Sequence, residues 1–113
     1  MSQLTTLALA LIGTTAQAEI DRTFLCTLER HCDARGHCSA ATGDVWITIA
    51  DTITTAAVDL PDRTIALELT PADPRPAYVG LDAGRPVRLD MDAESFALIY
   101  PDGRLTGRCG GPL

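Results

Sequence analysis

After Glu19 the chain alternates apolar and polar positions with a period of two, and it nowhere sustains the wider spacing of an amphipathic helix. Phe24, Cys26 and Leu28 alternate with Thr23, Leu25 and Thr27, and Val45, Ile47 and Ile49 alternate with Trp46 and Thr48. Both runs read as strands. Ile53 to Leu60 is rich in β-branched residues and meets Pro61-Asp62-Arg63, a turn in which proline presets the backbone. Thr64 to Thr70 then returns with Ile65, Leu67 and Leu69 on one face. Between Thr70 and Pro76 three prolines remove ladder donors and force a loop. Ala77 to Leu81 reads as a short strand and Asp82 to Pro86 as a turn. Val87, Leu89 and Met91 alternate with Arg88, Asp90 and Asp92, giving one apolar and one solvated face. The clearest hairpin comes last: Phe96 to Tyr100, the turn Pro101-Asp102-Gly103, and Arg104 to Cys109, after which Gly110, Gly111 and Pro112 end the order.

Strands at intervals of roughly eight to twelve residues, with turn residues between them, predict an all-β fold. The expectation is a small antiparallel sandwich or partly closed barrel of about six or seven strands, stapled by disulfides.

A chain of 113 residues builds one domain. Residues 4 to 16 are uncharged and largely apolar, and Ala16-Gln17-Ala18 follows as a small-x-small cleavage site. Residues 1–18 therefore read as a secretory signal peptide, leaving 19–113 as a single small β domain in the periplasm or outside the cell. A membrane-spanning helix would need roughly 20 apolar residues, more than this segment supplies. The chain holds 15 acidic residues against nine basic ones, all arginine, for a net charge of −6. No basic stripe is present to neutralise phosphates, so nucleic acid and anionic lipid are not expected as partners. No membrane span is expected after signal cleavage.

Side-chain chemistry concentrates in one place. Cys26, His31, Cys32, His37 and Cys38 fall within a single short stretch, and Cys109 lies far away near the end of the chain. An even number of cysteines in a short exported chain reads as a disulfide framework, and four cysteines allow three pairings. Cys32 and Cys38 bracket a segment in which Gly36 permits a tight reversal, which leaves Cys26 to join Cys109 and tie the first predicted strand to the last. Pairings of Cys26 with Cys32 or Cys38 stay open. A zinc or copper site through His31, Cys32, His37 and Cys38 is the alternative. Its spacing is not that of common zinc sites, and bridged sulfurs cannot ligate as thiolates. Covalent haem and thioredoxin-like redox motifs need Cys-x-x-Cys, which does not occur. No cofactor is expected.

Elsewhere Asp90, Asp92 and Glu94 share one side of a predicted strand, as carboxylates for acid–base work or calcium would, but the simple alternation of a solvated face explains them equally. Ser39 and Ser95 lie in no nucleophile elbow. Trp46 falls on the face opposite Val45, Ile47 and Ile49, yet a lone tryptophan in a chain this poor in aromatics is more often core.

Phe24-Leu25-Cys26, the Cys32 to Cys38 loop with Gly36, and Gly107-Arg108-Cys109 together resemble small exported, disulfide-containing β proteins of proteobacteria. The resemblance covers both ends of the domain. It implies a periplasmic location and a disulfide pattern, and no activity. A looser likeness, to small periplasmic lysozyme inhibitors that are compact β-barrels with a disulfide, is one of fold alone. The sequence thus predicts a non-enzymatic binding domain acting on a protein, glycan or small ligand through loops such as Thr70 to Pro76. Metal handling through the His31–Cys38 loop is the second reading and a small carboxylate hydrolase the weakest, because no base, nucleophile and oxyanion set can be assembled.

Overall fold

The computed structural model describes residues 21–73 and 75–112, without the side chains of 111 and 112. The predicted signal peptide, residues 1–18, lies outside the described residues. Nine strands carry the fold: β1 (Arg22–Asp33), β2 (Cys38–Ala40), β3 (Asp44–Ile49), β4 (Thr55–Leu60), β5 (Arg63–Thr70), β6 (Ala77–Asp82), β7 (Arg85–Met91), β8 (Ser95–Tyr100) and β9 (Gly103–Pro112). Among the described residues there is no helix. The strands follow one another as an antiparallel meander, and β9 pairs back onto β1. Eight strands thereby close into a barrel, with β2 as an additional strand.

Closure corrects the expectation of a sandwich or partly closed barrel, and the strand count exceeds the six or seven expected. Periodicity along a strand reports which face is buried and carries no information about whether the two sheet edges meet. Here they meet over most of β1, from Phe24 opposite Pro112 to Asp33 opposite Gly103. The seam is tight enough to demand glycine at Gly107, where a Cβ would run into the Thr27 carbonyl oxygen and stand 2.6 Å from the Phe96 ring. The ladder slips at Glu29, between the pairs Leu28–Gly107 and Arg30–Thr106. Such a bulge bends and twists a strand, as barrel closure requires. β1 is long because its first half pairs with β3 and its second half with β2 on the same edge. The extra strand is the far end of this hairpin, too short to leave a periodic signal.

Alternation places Cys26, Val45, Ile47, Val58, Ile65, Leu67, Val87, Leu89, Phe96 and Leu98 in one contiguous core inside the barrel. Each such side chain taken fully out of water contributes roughly 1.5–3 kcal/mol. Four local expectations need revision. β4 starts at Thr55, not Ile53; Pro86 sits inside β7, where it pairs with Leu81; β9 continues through Gly110 to Pro112; and Trp46 is 39% exposed on the outer wall beside Leu25. Strict alternation in β3 settles the tryptophan: Val45 and Ile47 are both fully buried, so the residue between them must face out.

Candidate functional site

The two ends of the barrel differ. One end gathers the β4–β5, β6–β7 and β8–β9 turns with the tip of the β1–β2 hairpin. The other gathers the β3–β4, β5–β6 and β7–β8 connections.

Both cysteine pairs are explained by register, one at the tip of the β1–β2 hairpin and the other along the β1–β9 seam. Cys26 stands directly opposite Cys109 across the β1–β9 seam, and Cys32 directly opposite Cys38 across β1–β2, with Cα atoms 4.0 Å apart in each pair. Both pairs are disulfides, and no free cysteine remains among the described residues. Between Cys32 and Cys38 the chain reverses through Gly36, whose φ of 87° favours glycine. Asp33 organises that reversal, its Oδ1 accepting hydrogen bonds from the backbone N–H groups of Arg35 (2.9 Å) and His37 (3.0 Å). His31 and His37 are exposed, and His37 Nδ1 lies 3.7 Å from Asp33 Oδ2. Among the described residues no group of three or more His, Cys, Asp or Glu side chains is arranged to hold a metal ion. This loop is a stapled turn.

The first end is plugged by a polar cluster that sequence reading missed. Asp82, read as a turn residue, ends β6 pointing inward and is 5% exposed. Arg63 donates to it through Nε and Nη2, both at 2.8 Å, and the Tyr100 hydroxyl donates to Oδ2 at 2.6 Å. The Arg63 hydrogen bonds hold the Asp82 carboxyl below the usual carboxylate range, and Asp82 in turn raises Arg63. Burial, reinforced by Asp82, pushes the Tyr100 phenol up to about 12. Arg85 covers the Tyr100 ring at 4.3 Å and donates to Asp102 at 2.6 Å. Every member is committed to another, and no buried side-chain polar atom among the described residues lacks a partner. The arrangement satisfies a buried charge.

The opposite end is open and irregular. Ile53 occupies the tip of the β3–β4 loop with φ of 58° and 59% exposure. A β-branched residue in the left-handed region is a genuine outlier. Its backbone is pinned from both sides: the Ile53 N–H donates to the Ala50 carbonyl at 2.8 Å, and the Tyr78 hydroxyl, reaching across from β6, donates to the Ile53 carbonyl at 2.7 Å. Leu69 N–H adds a bond to the Thr54 carbonyl at 2.8 Å, tying the loop to β5. Burial raises the Tyr78 phenol, so it stays protonated and donating.

Behind Tyr78 lies a recess of about 640 Å³ whose wall includes Asp73, Arg75, Arg88, Asp90 and Met91. The proline-rich loop singled out in the sequence forms one side of it. Of the three carboxylates considered for acid–base work, Asp90 lies 3.4 Å from Arg88, while Asp92 caps the β7–β8 turn. Asp92 Oδ1 accepts from the backbone N–H groups of Glu94 and Ser95, both at 2.9 Å, and from the Ser95 hydroxyl. These bonds hold its carboxyl below the ordinary range. Asp92 and Ser95 are thus occupied with each other, and Ser39 lies exposed on β2. Asp90 and Asp92 both border this recess, while Glu94 does not line it. Ile53 and Tyr78 gave no warning in the sequence, since an isoleucine in a β-branched run reads as strand. Comparison with protein-family models, with curated proteins and with solved structures gives no match.

Proposed function

We propose that this chain is a non-enzymatic binding domain that works in an oxidising compartment, periplasmic or extracellular, and presents the loop end of its barrel to a partner. Two cross-strand disulfides accord with that setting, because such bonds persist where thiols are not kept reduced. A barrel packed with side chains is a rigid mount, and irregular loops on a rigid mount are where recognition is usually placed.

The observation that carries the reading is Ile53. An apolar side chain held outward on a strained backbone contributes nothing to the core, and it persists only because Tyr78 and Ala50 over-determine the loop. Local strain retained beside a recess points to a presented contact residue. Leu81 supplies the control, being 65% exposed but on regular strand β6 toward the opposite end.

The test is site-specific photo-crosslinking in cells that export the protein, with the photoreactive residue at position 53 or position 81. A discrete adduct from 53 that is absent from 81, and that disappears when excess protein carrying Ile53 is supplied but not when excess Ile53→Asp is supplied, supports the reading. Equal labelling from both positions removes it.

A further inference from the structure

The loop that carries Ile53 borders a second recess, on the outer wall rather than behind Tyr78. Ala50 and Thr55, which flank the Ile53 loop, form its rim, and the floor is made of Ala57, Ala66 and Gly80. Ala57 and Ala66 are direct cross-strand partners, so two successive strands present only methyl groups there, and a hollow of about 470 Å³ results. The charged side chains lining it are Asp21 and Glu68, both exposed, and no arginine or histidine contributes to it. Asp21 is positioned by the loop itself, its Oδ1 accepting the Asp51 N–H at 3.1 Å. Glu68 faces Thr55 across the β4–β5 ladder. Among the described residues neither carboxylate forms an ion pair. The contrast with the other recess is clear, since Arg75 and Arg88 line that one alongside its acids.

We infer that this alanine-floored hollow receives a basic side chain, arginine or lysine, that a partner protein carries next to the apolar group contacting Ile53. The argument is charge complementarity combined with shape. A basic side chain has an aliphatic stem that lies well on methyl groups and a charged head that must stay hydrated or meet carboxylates. The hollow offers both in the order required, methyl floor first and Asp21 with Glu68 at the edge. Complementary charge of this kind supplies specificity and encounter rate more than bulk affinity. A chain of net charge −6 attracts a basic partner over a Debye length of about 8 Å at physiological salt. The inference rests on the loop end being the recognition surface and names the chemistry of what it recognises.

The test uses the disulfide-bonded protein, labelled with nitrogen-15, titrated with the peptides Ac-Leu-Arg-Leu-NH2 and Ac-Leu-Gln-Leu-NH2. The expected result is saturable movement of the Ala57, Ala66, Glu68 and Gly80 amide resonances. The arginine peptide should bind at least about fivefold more tightly, the ratio that two exposed charge pairs supply. That preference should disappear in Asp21→Asn/Glu68→Gln, which keeps the Oδ1 acceptor for Asp51 and whose melting temperature shows whether the fold is retained. Equal binding of both peptides at the loop end overturns the basic-partner inference and leaves the recognition surface standing. Retention of the arginine preference in the double variant, or resonances that move through self-association before any peptide is added, also overturns it. Failure of either peptide to move any loop-end resonance counts against both.

Discussion

Replacing Asp82 with Ala should destabilise the barrel far more than any exposed acidic residue would. The substitution removes the acceptor of three hydrogen bonds at once, leaving the Tyr100 hydroxyl buried without a partner and the Arg63 guanidinium without its bidentate carboxylate. Removing one member of a buried ion pair typically costs about 3–5 kcal/mol. Arg63 is 38% exposed and also bonds Asp62 at 2.9 Å, so it can turn toward water, and the lower end applies. An unsatisfied hydroxyl adds about 1–3 kcal/mol of its own but overlaps with that figure. A net loss of about 3 kcal/mol follows, equivalent to a fall in melting temperature of roughly 12–24 °C for a domain of this size. Chemical denaturation of the oxidised protein, compared with Asp102→Ala, is the assay. Asp102 bonds Arg85 at 2.6 Å with 71% of its side chain exposed, and solvent screening leaves such an exposed pair little net value. Equal losses from Asp82→Ala and Asp102→Ala would refute the view that burial, rather than hydrogen bonding alone, sets the value of this cluster.

Further outcomes follow from other parts of the molecule. Because the Asp82 carboxyl titrates below its ordinary value in the folded state, its contribution is present above the unfolded-state pKa of about 3.9 and declines as pH falls toward the lowered one. Denaturation midpoints measured from pH 6 down to pH 2 should therefore fall less steeply in Asp82→Ala than in the parent. Opening Cys26–Cys109, which closes a separation of 83 residues, should cost about 4.5 kcal/mol in the chain-entropy account. Opening Cys32–Cys38, with a separation of six, should cost about 2 kcal/mol, so melting of the two paired serine variants should rank them in that order. Ile53→Gly exchanges a left-handed strain of about 1–2 kcal/mol for about 0.5–1 kcal/mol of added unfolded-state freedom. Equilibrium unfolding should find it neutral to slightly more stable, and a loss above about 1 kcal/mol would show that the side chain packs. Trp46 fluorescence should be quenched by acrylamide in the native state without denaturant.

How much of this was legible beforehand depends on what kind of signal each feature leaves. Alternation gave the inward set Val45, Ile47, Ile65, Leu67, Val87 and Leu89, because burial on one face of a strand is written directly as a period of two. It said nothing of how β1 meets β9, since edge pairing depends on the bend at the Glu29 bulge and on the close approach that Gly107 permits. Asp82 escaped for a different reason. A polar residue beside Ala83-Gly84 looks like turn material, and only the arrival of Arg63 and Tyr100 from strands distant in sequence makes an inward carboxylate tolerable. Ile53 reads as strand because propensity is averaged over a run, whereas the conformation of that one residue is decided by Tyr78, 25 positions later. The proline-rich loop was recognisable, and it does border a recess. The charge-selective hollow was not recognisable, since alanines at 57 and 66 acquire meaning only once their strands are aligned.

The β1–β9 seam also dictates how the protein can be handled. Phe24 lies opposite Pro112 and Arg22 opposite Ile49, so the chain enters and leaves the barrel side by side, at the end that carries Ile53. An attachment placed directly before Arg22 or directly after Pro112 therefore crowds the face proposed for recognition. The short turns at Asp62, Gly84 and Asp102 lie at the far end, and grafting an affinity handle into one of them leaves the loop end unobstructed for interaction measurements.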